Sequence, residues 1–121
     1  MIRREMTGTR SLEFSRWIRT NLPDTDTGYF VTNLDWIFYN YKNKILLMVE
    51  EKTHGGKIRY GQSKLFNEVI APALKDWCWK NKYIWLGFHC VRFENESPND
   101  GQIYWDDELI TEEQLRERLS F

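Results

Sequence analysis

The order of apolar and polar positions along the chain predicts a helix, a β-hairpin, a second helix, two further strands and a last helix. The first helix is expected over 9–20, with Thr9 or Ser11 as its N-cap and Pro23 just beyond its end. A loop rich in turn-forming residues follows over 24–28. Residues 29–39 are dense in aromatic and β-branched side chains, so a strand is expected there.

The middle of the chain contains the clearest strand and the longest helical pattern. The polar residues around 41–44 predict a turn, and five consecutive apolar residues then begin a strand over Ile45–Lys52. Helical spacing runs from Gln62 to about Trp77 after the break at 54–56. Pro72 is expected to kink or divide that helix, because proline lacks the N–H group that the helix interior uses.

The last third predicts strands over 83–93 and 102–105 and then a helix beginning at Thr111. Thr111 can cap that helix while Gln114 answers from the N3 position, as in a capping box. Ile110 and Leu115 occupy the two positions of a hydrophobic staple. At 121 residues the chain has the size of one domain, and the order of elements predicts a single small α/β domain over 1–121.

The hairpin determines which polar side chains face each other. If the turn is a two-residue or a four-residue loop within 41–44, Asp35 lies opposite Glu50 and Asn33 lies opposite Lys52. Facing side chains point to the same side of a sheet, with Cβ atoms roughly 4.5–5.5 Å apart. Residues two apart on a strand also share a face, so Lys52 joins this pair. A three-residue loop would break the alignment.

Two carboxylates held this close destabilise each other unless a positive charge compensates for them. A divalent cation such as Mg²⁺ or Mn²⁺ would do so, since carboxylate oxygens are hard ligands. The alternative is that Glu50, Glu51 and Lys52 are the solvated end of a strand. Against that alternative, Asp35 lies within a run of strand-forming residues, where an aspartate requires a partner.

Composition excludes some classes of protein. No apolar run reaches the roughly 20 residues of a membrane helix, so no membrane partner is expected. Cys78 and Cys90 have neither a paired spacing nor a metal-ligand spacing, which indicates reduced thiols in a cytoplasmic protein.

The charge is unevenly distributed although its sum is only −1. Residues 1–20 contain five arginines and two glutamates, and residues 42–64 contain six Lys or Arg and two glutamates. Residues 94–121 contain nine acids and two arginines. This asymmetry is compatible with one phosphate-facing side and one solvated acidic side.

Taken together, these residues resemble the PD-(D/E)XK nuclease superfamily, which includes many restriction endonucleases and Holliday-junction resolvases. Its pattern has an acid on one strand, here Asp35, and an acid-x-lysine on the adjacent antiparallel strand, here Glu50 and Lys52. A glutamate on the preceding helix corresponds to Glu13, and a glutamine entering the following helix corresponds to Gln62. The resemblance implies a restriction-endonuclease-like fold, with a mixed central sheet whose antiparallel hairpin contains the site and is flanked by helices.

The resemblance also implies a Mg²⁺-dependent endonuclease, with Mn²⁺ as a substitute ion. Asp35, Glu50 and the backbone carbonyl of Glu51 would hold the metal, and Glu13 would bind it directly or through water. Asp35 and Glu50 would therefore act in catalysis as metal ligands. Lys52 would orient the attacking water and offset negative charge, and Gln62 would position Lys52 or the substrate phosphate.

The implied partner is nucleic acid, with DNA of particular structure as the expected substrate, and a homodimer would allow both strands to be cut. Five basic residues are candidates for contacts with flanking phosphates: Arg10, Arg16, Lys57, Arg59 and Lys64. The alternative interpretation is a catalytically silent module of the same fold that binds nucleic acid or a protein.

Overall fold

The structure is a computed structural model that describes residues 13–23, 25–28 and 30–121. The chain divides into two compact units, Met1–Val31 and Thr32–Phe121, and each is described by itself. The interpretation of 1–121 as one nuclease-like domain stays a prediction.

In the first unit, helix α1 spans Glu13–Asn21 and a 3₁₀ turn follows at Thr25–Thr27. The side chains of Thr20 and Asn21 donate hydrogen bonds to the carbonyls of the residues four positions earlier, which satisfies the last turn just before Pro23. Helix α1 therefore ends where the sequence predicted. The predicted caps, Thr9 and Ser11, lie outside the described residues.

The second unit is built on a five-stranded mixed sheet with the strands in the order β1-β2-β3-β4-β5. The strands are β1 (Trp36–Asn40), β2 (Ile45–Lys52), β3 (Ile84–Phe93), β4 (Ile103–Trp105) and β5 (Glu108–Ile110). The β2–β3 pair is parallel, whereas the other neighbouring strands are antiparallel. A mixed α/β architecture is therefore confirmed. Within the described ranges, every helix is too short or too polar to cross a membrane.

The predicted hairpin is present, but its first strand is shorter than the sequence indicated. Strand β2 has the predicted bounds, whereas β1 begins at Trp36 and residues 30–35 are not in a strand. The prediction of a strand over residues 30–35 was wrong, because the Asp35 side chain accepts the backbone N–H of Glu51 that a continuing strand would use; residue 29 lies outside the described residues. Beyond Lys52 the chain turns at His54 and Gly55, which both have positive φ angles.

Two short helices and a π-helical segment form one continuous helical arm. Helix α2 spans Tyr60–Leu65, the π-helical segment spans Phe66–Ile70 and helix α3 spans Ala71–Asn81. Pro72 lies in the first turn of α3, where a missing N–H costs little. The π-helical segment ends directly before α3 begins. The prediction was that Pro72 kinks or divides this helix, and the structure has a π-helical interruption directly before the α3 turn that contains Pro72.

The chain ends with a hairpin and a helix. Strand β5 was not predicted. It is joined to β4 by Asp106 and Asp107, which both have positive φ angles, as in a type I′ turn. Helix α4 spans Glu112–Leu119, and the predicted capping box is confirmed by hydrogen bonds of 3.0 Å and 2.9 Å between Thr111 and Gln114.

The two faces of the sheet are covered by different helices. One face forms a hydrophobic core with α4: Leu47, Val49, Val91, Phe93, Ile103, Trp105, Ile110 and Leu115. The helical arm lies on the opposite face, where the ring of Phe66 contacts that of Phe88 at 5.4 Å in an edge-to-face arrangement. This second face carries the even-numbered residues of β2, including Glu50 and Lys52, because side chains alternate along a strand.

Candidate functional site

The hairpin has the register that the sequence predicted. Facing residues run from Trp36 and Val49 to Asn40 and Ile45, with a four-residue loop between the strands. Asp35 lies one residue beyond the last pair, next to the end of β2. Its carboxylate accepts a 2.9 Å hydrogen bond from the backbone N–H of Glu51. Asp35 is therefore attached to β2 through its side chain rather than through its backbone.

Glu50 is a buried acid, with only 2% of its surface exposed. Burial, followed by a hydrogen bond and the like charge of Asp35, raises the pKa of Glu50 to about 7, while Lys52 opposes the rise. Among the described residues, Oε2 of Glu50 has no hydrogen-bond partner. When Glu50 is protonated, that proton can bridge to Asp35. When both acids are ionised, the pair requires a cation.

Lys52 is the cation that the chain itself provides. Its Nζ lies 3.5 Å from Oε1 of Glu50 and donates a 2.8 Å hydrogen bond to Oε1 of Gln62. The lysine side chain is 16% exposed, so the ammonium group can still meet a ligand from solvent. This position satisfies one carboxylate oxygen of Glu50 and leaves the other without a donor.

Gln62 lies near the start of α2 and is buried, with 6% of its surface exposed. Its Nε2 donates to Oγ1 of Thr32 at 2.8 Å and lies 3.5 Å from Oε1 of Glu50. The ammonium group of Lys52 can only donate, so it fixes the orientation of this amide, and Thr32 anchors the amide nitrogen. Sequence reasoning missed Thr32, because no pattern connects a residue of irregular backbone with a helix 30 positions away.

Glu51 points to the other face of β2. Its Oε1 accepts a 2.9 Å hydrogen bond from the indole N–H of Trp36. The expectation from strand alternation, that Glu50 and not Glu51 shares a face with Lys52, is therefore confirmed. The proposed role of the Glu51 backbone carbonyl stays a prediction.

The structure thus brings together Asp35, Glu50, Lys52 and Gln62, the four predicted catalytic residues, and adds Thr32. We call these five residues the polar network. The remaining predicted metal ligand, Glu13, begins α1 in the other unit. Its part in the site stays a prediction.

The candidate phosphate-binding residues occupy different places. Lys57 and Arg59 are exposed on the segment between β2 and α2, and Lys64 is exposed on α2 with its Nζ 5.9 Å from the centre of the Tyr60 ring. Arg16 is exposed on α1 in the first unit, and Arg10 lies outside the described residues. Three of the five therefore belong to the segment that follows β2.

The donor set fits Mg²⁺ or Mn²⁺. In the described part of the chain, no three His, Cys, Asp or Glu residues come together to form a complete metal site. Mg²⁺ does not need one, since it is usually held by one or two carboxylates and keeps waters or substrate oxygens as its other ligands. The unpartnered Oε2 of Glu50 and the adjacent Asp35 carboxylate match that requirement.

Comparisons with known proteins add little. An uncharacterized protein of Archaeoglobus fulgidus is 35% identical over 68 residues, an alignment that covers 53% of this chain and 47% of that protein. The chain thus matches about half the length of this relative. No protein family matches the chain, and no solved structure does.

Proposed function

We propose that the protein is a metal-dependent endonuclease that hydrolyses phosphodiester bonds in nucleic acid, most readily in DNA of particular structure. A restriction-endonuclease-like fold and cytoplasmic location are part of this proposal. The observation that supports it best is the buried carboxylate of Glu50, which lies beside a second acid and a lysine with one oxygen unpartnered.

Structural stability alone is a poor explanation for this arrangement. Burying a carboxylate is costly, and a like charge nearby increases the cost. The pKa of Glu50, raised to about 7, indicates that the fold holds an unfavourable charge there at neutral pH. Perturbed acids in a group of convergent polar side chains are typical of catalytic sites.

Each residue of the polar network has a definite task in the proposed reaction. Asp35 and Glu50 would hold the divalent ion, which would supply polarisation of the phosphoryl group and stabilisation of the developing negative charge. Lys52 directs its ammonium group at the attacking water and at the charge of the transition state. Gln62 accepts one of the three N–H donors of Lys52 and so restricts where the others point.

Thr32 acts one step further from the chemistry. It accepts from Nε2 of Gln62 and so anchors the amide while the amide oxygen accepts from Lys52. The opposite orientation of the amide is disfavoured, because it would present an N–H donor to the ammonium group of Lys52. The polar network therefore positions one cation against two acids through neutral hydrogen bonds.

The proposal is tested with purified protein and supercoiled, linear, single-stranded and branched DNA, in Mg²⁺, Mn²⁺ or chelator. We expect cleavage that requires the metal and falls by at least roughly 10²-fold in Glu50→Gln and Lys52→Ala. The matched control is Lys80→Ala, because Lys80 is exposed on α3 and pairs with Asp76 at 2.9 Å. Circular dichroism establishes that each variant is folded.

Equal cleavage by wild type and by both site variants would indicate a contaminating nuclease and would contradict the proposal. Absence of cleavage of every DNA and of matching RNA would favour the silent binding module instead.

A further inference from the structure

A cleft lies beside the polar network on the same face of the sheet. The register of β2 and β3 aligns Cys90 with Glu50 and Arg92 with Lys52, and aligned residues of neighbouring strands share a face. The cleft has a volume of about 680 Å³. Its lining includes Lys57, Asn67, Phe88, Cys90, Arg92 and Asp107.

The cleft and the polar network meet at Cys90. Burial, followed by the charge of Asp106, raises the pKa of the Cys90 thiol to about 11, and the charges of Lys52 and Glu50 also act on it. The thiol is therefore close to both catalytic side chains. A ligand in the cleft would lie next to the atoms that carry out the proposed reaction.

Arg92 is held ready to bind an anion. Its guanidinium lies 4.7 Å from the centre of the Tyr104 ring, and Nη1 donates a 2.8 Å hydrogen bond to Asp107. The contact with the Tyr104 ring fixes the plane of the guanidinium, so less entropy is lost when it binds a phosphate with two parallel hydrogen bonds.

We propose that this cleft binds an unpaired segment of the nucleic-acid strand next to the scissile phosphate, with Arg92 and Lys57 on its phosphates. The inference rests on the proposed function and specifies its substrate: a strand that is single-stranded, or locally unpaired, on one side of the cut.

The size and lining of the cleft favour an unpaired segment. Its volume falls in the range of roughly 300–1,000 Å³ that is typical of small-ligand sites, which suits a nucleotide or two and not a duplex. Phe88 offers an aromatic surface for a base. The Nδ2 of Asn67 already donates to the carbonyl of Ser63 at 2.9 Å, which leaves the amide oxygen to accept from a base edge.

The two acids at the cleft are already engaged by the protein. Asp106 accepts hydrogen bonds from the backbone N–H of Cys90 at 2.9 Å and from Nδ1 of His89. Asp107 pairs with Arg92, but its side chain is 84% exposed, and solvent screens such an ion pair so that it contributes little. A phosphate can therefore displace Asp107 from Arg92.

The test is fluorescence anisotropy in chelator, where no cleavage occurs, with a short labelled single-stranded DNA, the blunt duplex of the same sequence and the matching RNA. Wild type is compared with Arg92→Ala and Arg92→Lys. The control is Arg116→Ala, since Arg116 is an exposed arginine on α4 that also pairs with acids.

We expect single strands to bind more tightly than the duplex. In Arg92→Ala their affinity should fall about tenfold, and the slope of log K against log salt should fall by about 0.7, as for one lost phosphate contact. Arg92→Lys should keep the salt slope but bind more weakly than wild type. Arg116→Ala should match wild type.

The inference is overturned if the duplex binds as tightly as the single strand, if Arg92→Ala binds like wild type, or if wild type binds no oligonucleotide. If binding depends on Arg92 but no metal-dependent cleavage is found, the proposed nuclease activity is refuted. The inference that the cleft binds a single strand is then supported.

Discussion

The Nζ of Lys52 donates a 2.8 Å hydrogen bond to Oε1 of Gln62, and this bond connects the last residue of β2 to the helical arm. The same ammonium group lies 3.5 Å from Oε1 of Glu50. One lysine thus couples a buried acid on the sheet to a buried amide on the helix. Most of the behaviour expected of the site follows from this coupling.

Removing the lysine should make Glu50 harder to ionise. Lys52 lowers the pKa of Glu50 against the larger effects of burial and Asp35. In Lys52→Met the pKa of Glu50 should therefore rise, and Mn²⁺ binding should require a higher pH than in wild type. Titration of Mn²⁺ at several pH values measures the shift, with Lys80→Met as the control. An unchanged pH profile would mean that Lys52 does not interact with Glu50.

Thr32 should stabilise the protein through Gln62. Thr32→Val removes the acceptor of a 2.8 Å hydrogen bond from a buried amide, which should lower the free energy of unfolding by about 1 kcal/mol. Thr32→Ser keeps the hydroxyl and should recover most of that loss. Urea denaturation of the three proteins measures both effects. If Thr32→Val is as stable as wild type, the hydrogen bond to Gln62 does not stabilise the protein.

The stability of the metal-free protein should depend on pH through Glu50. The pKa of Glu50 is about 7 in the folded state, above the ordinary value of 4.5. The contribution of Glu50 to the free energy of unfolding is therefore complete below about pH 4.5, and it is lost as the pH rises through 7. The difference between the two pKa values corresponds to a loss in the free energy of unfolding on the order of 3 kcal/mol. Because other groups also titrate, the measurement is the difference between wild type and Glu50→Gln in urea at each pH. A difference that does not change between pH 4.5 and 8 would show that burial does not perturb Glu50.

Gly87 should be required for the register that aligns β3 with β2. It has a φ of +98° and lies where the register between β2 and β3 shifts. A Cβ at this position would lie 2.9 Å from Nε2 of His89. Gly87→Ala should therefore destabilise the protein by about 1–3 kcal/mol.

The control for this prediction is Gly55→Ala. Gly55 also has a positive φ, of +70°, but a Cβ there would meet nothing within 4 Å. Its replacement should cost only the backbone strain, about 1 kcal/mol. Thermal unfolding of the two variants separates strain from the steric clash. Equal losses of stability would mean that the contact with His89 has no effect.

The sequence predicted those parts of the fold that depend on local patterns. The apolar run of β2 defined its bounds. The loop at 41–44 was consistent with the observed hairpin register, so the proximity of Asp35 to the end of β2 could be foreseen. The capping box at Thr111 was equally local. The parts that could not be foreseen depend on distant contacts or on weak turn signals.

Three examples illustrate that limit. Strand β5 is only three residues long, and its Asp106-Asp107 turn lacks the glycine that usually marks such hairpins. The contact between Thr32 and Gln62 joins irregular backbone to a helix. The alignment of Arg92 with Lys52 depends on the shift near Gly87 in a parallel pair, whose register no hairpin loop determines.

The most direct test of the central claim is calorimetric titration of the protein with Mn²⁺ near pH 8, in wild type, Glu50→Gln and Glu51→Gln. Glu51→Gln is the matched control, because the side chain of Glu51 lies on the other face and bonds to Trp36. We predict that wild type and Glu51→Gln bind Mn²⁺ with similar affinity and that Glu50→Gln binds at least roughly tenfold more weakly. Equal binding by Glu50→Gln and wild type would contradict the claim that the Asp35–Glu50 pair is a metal site.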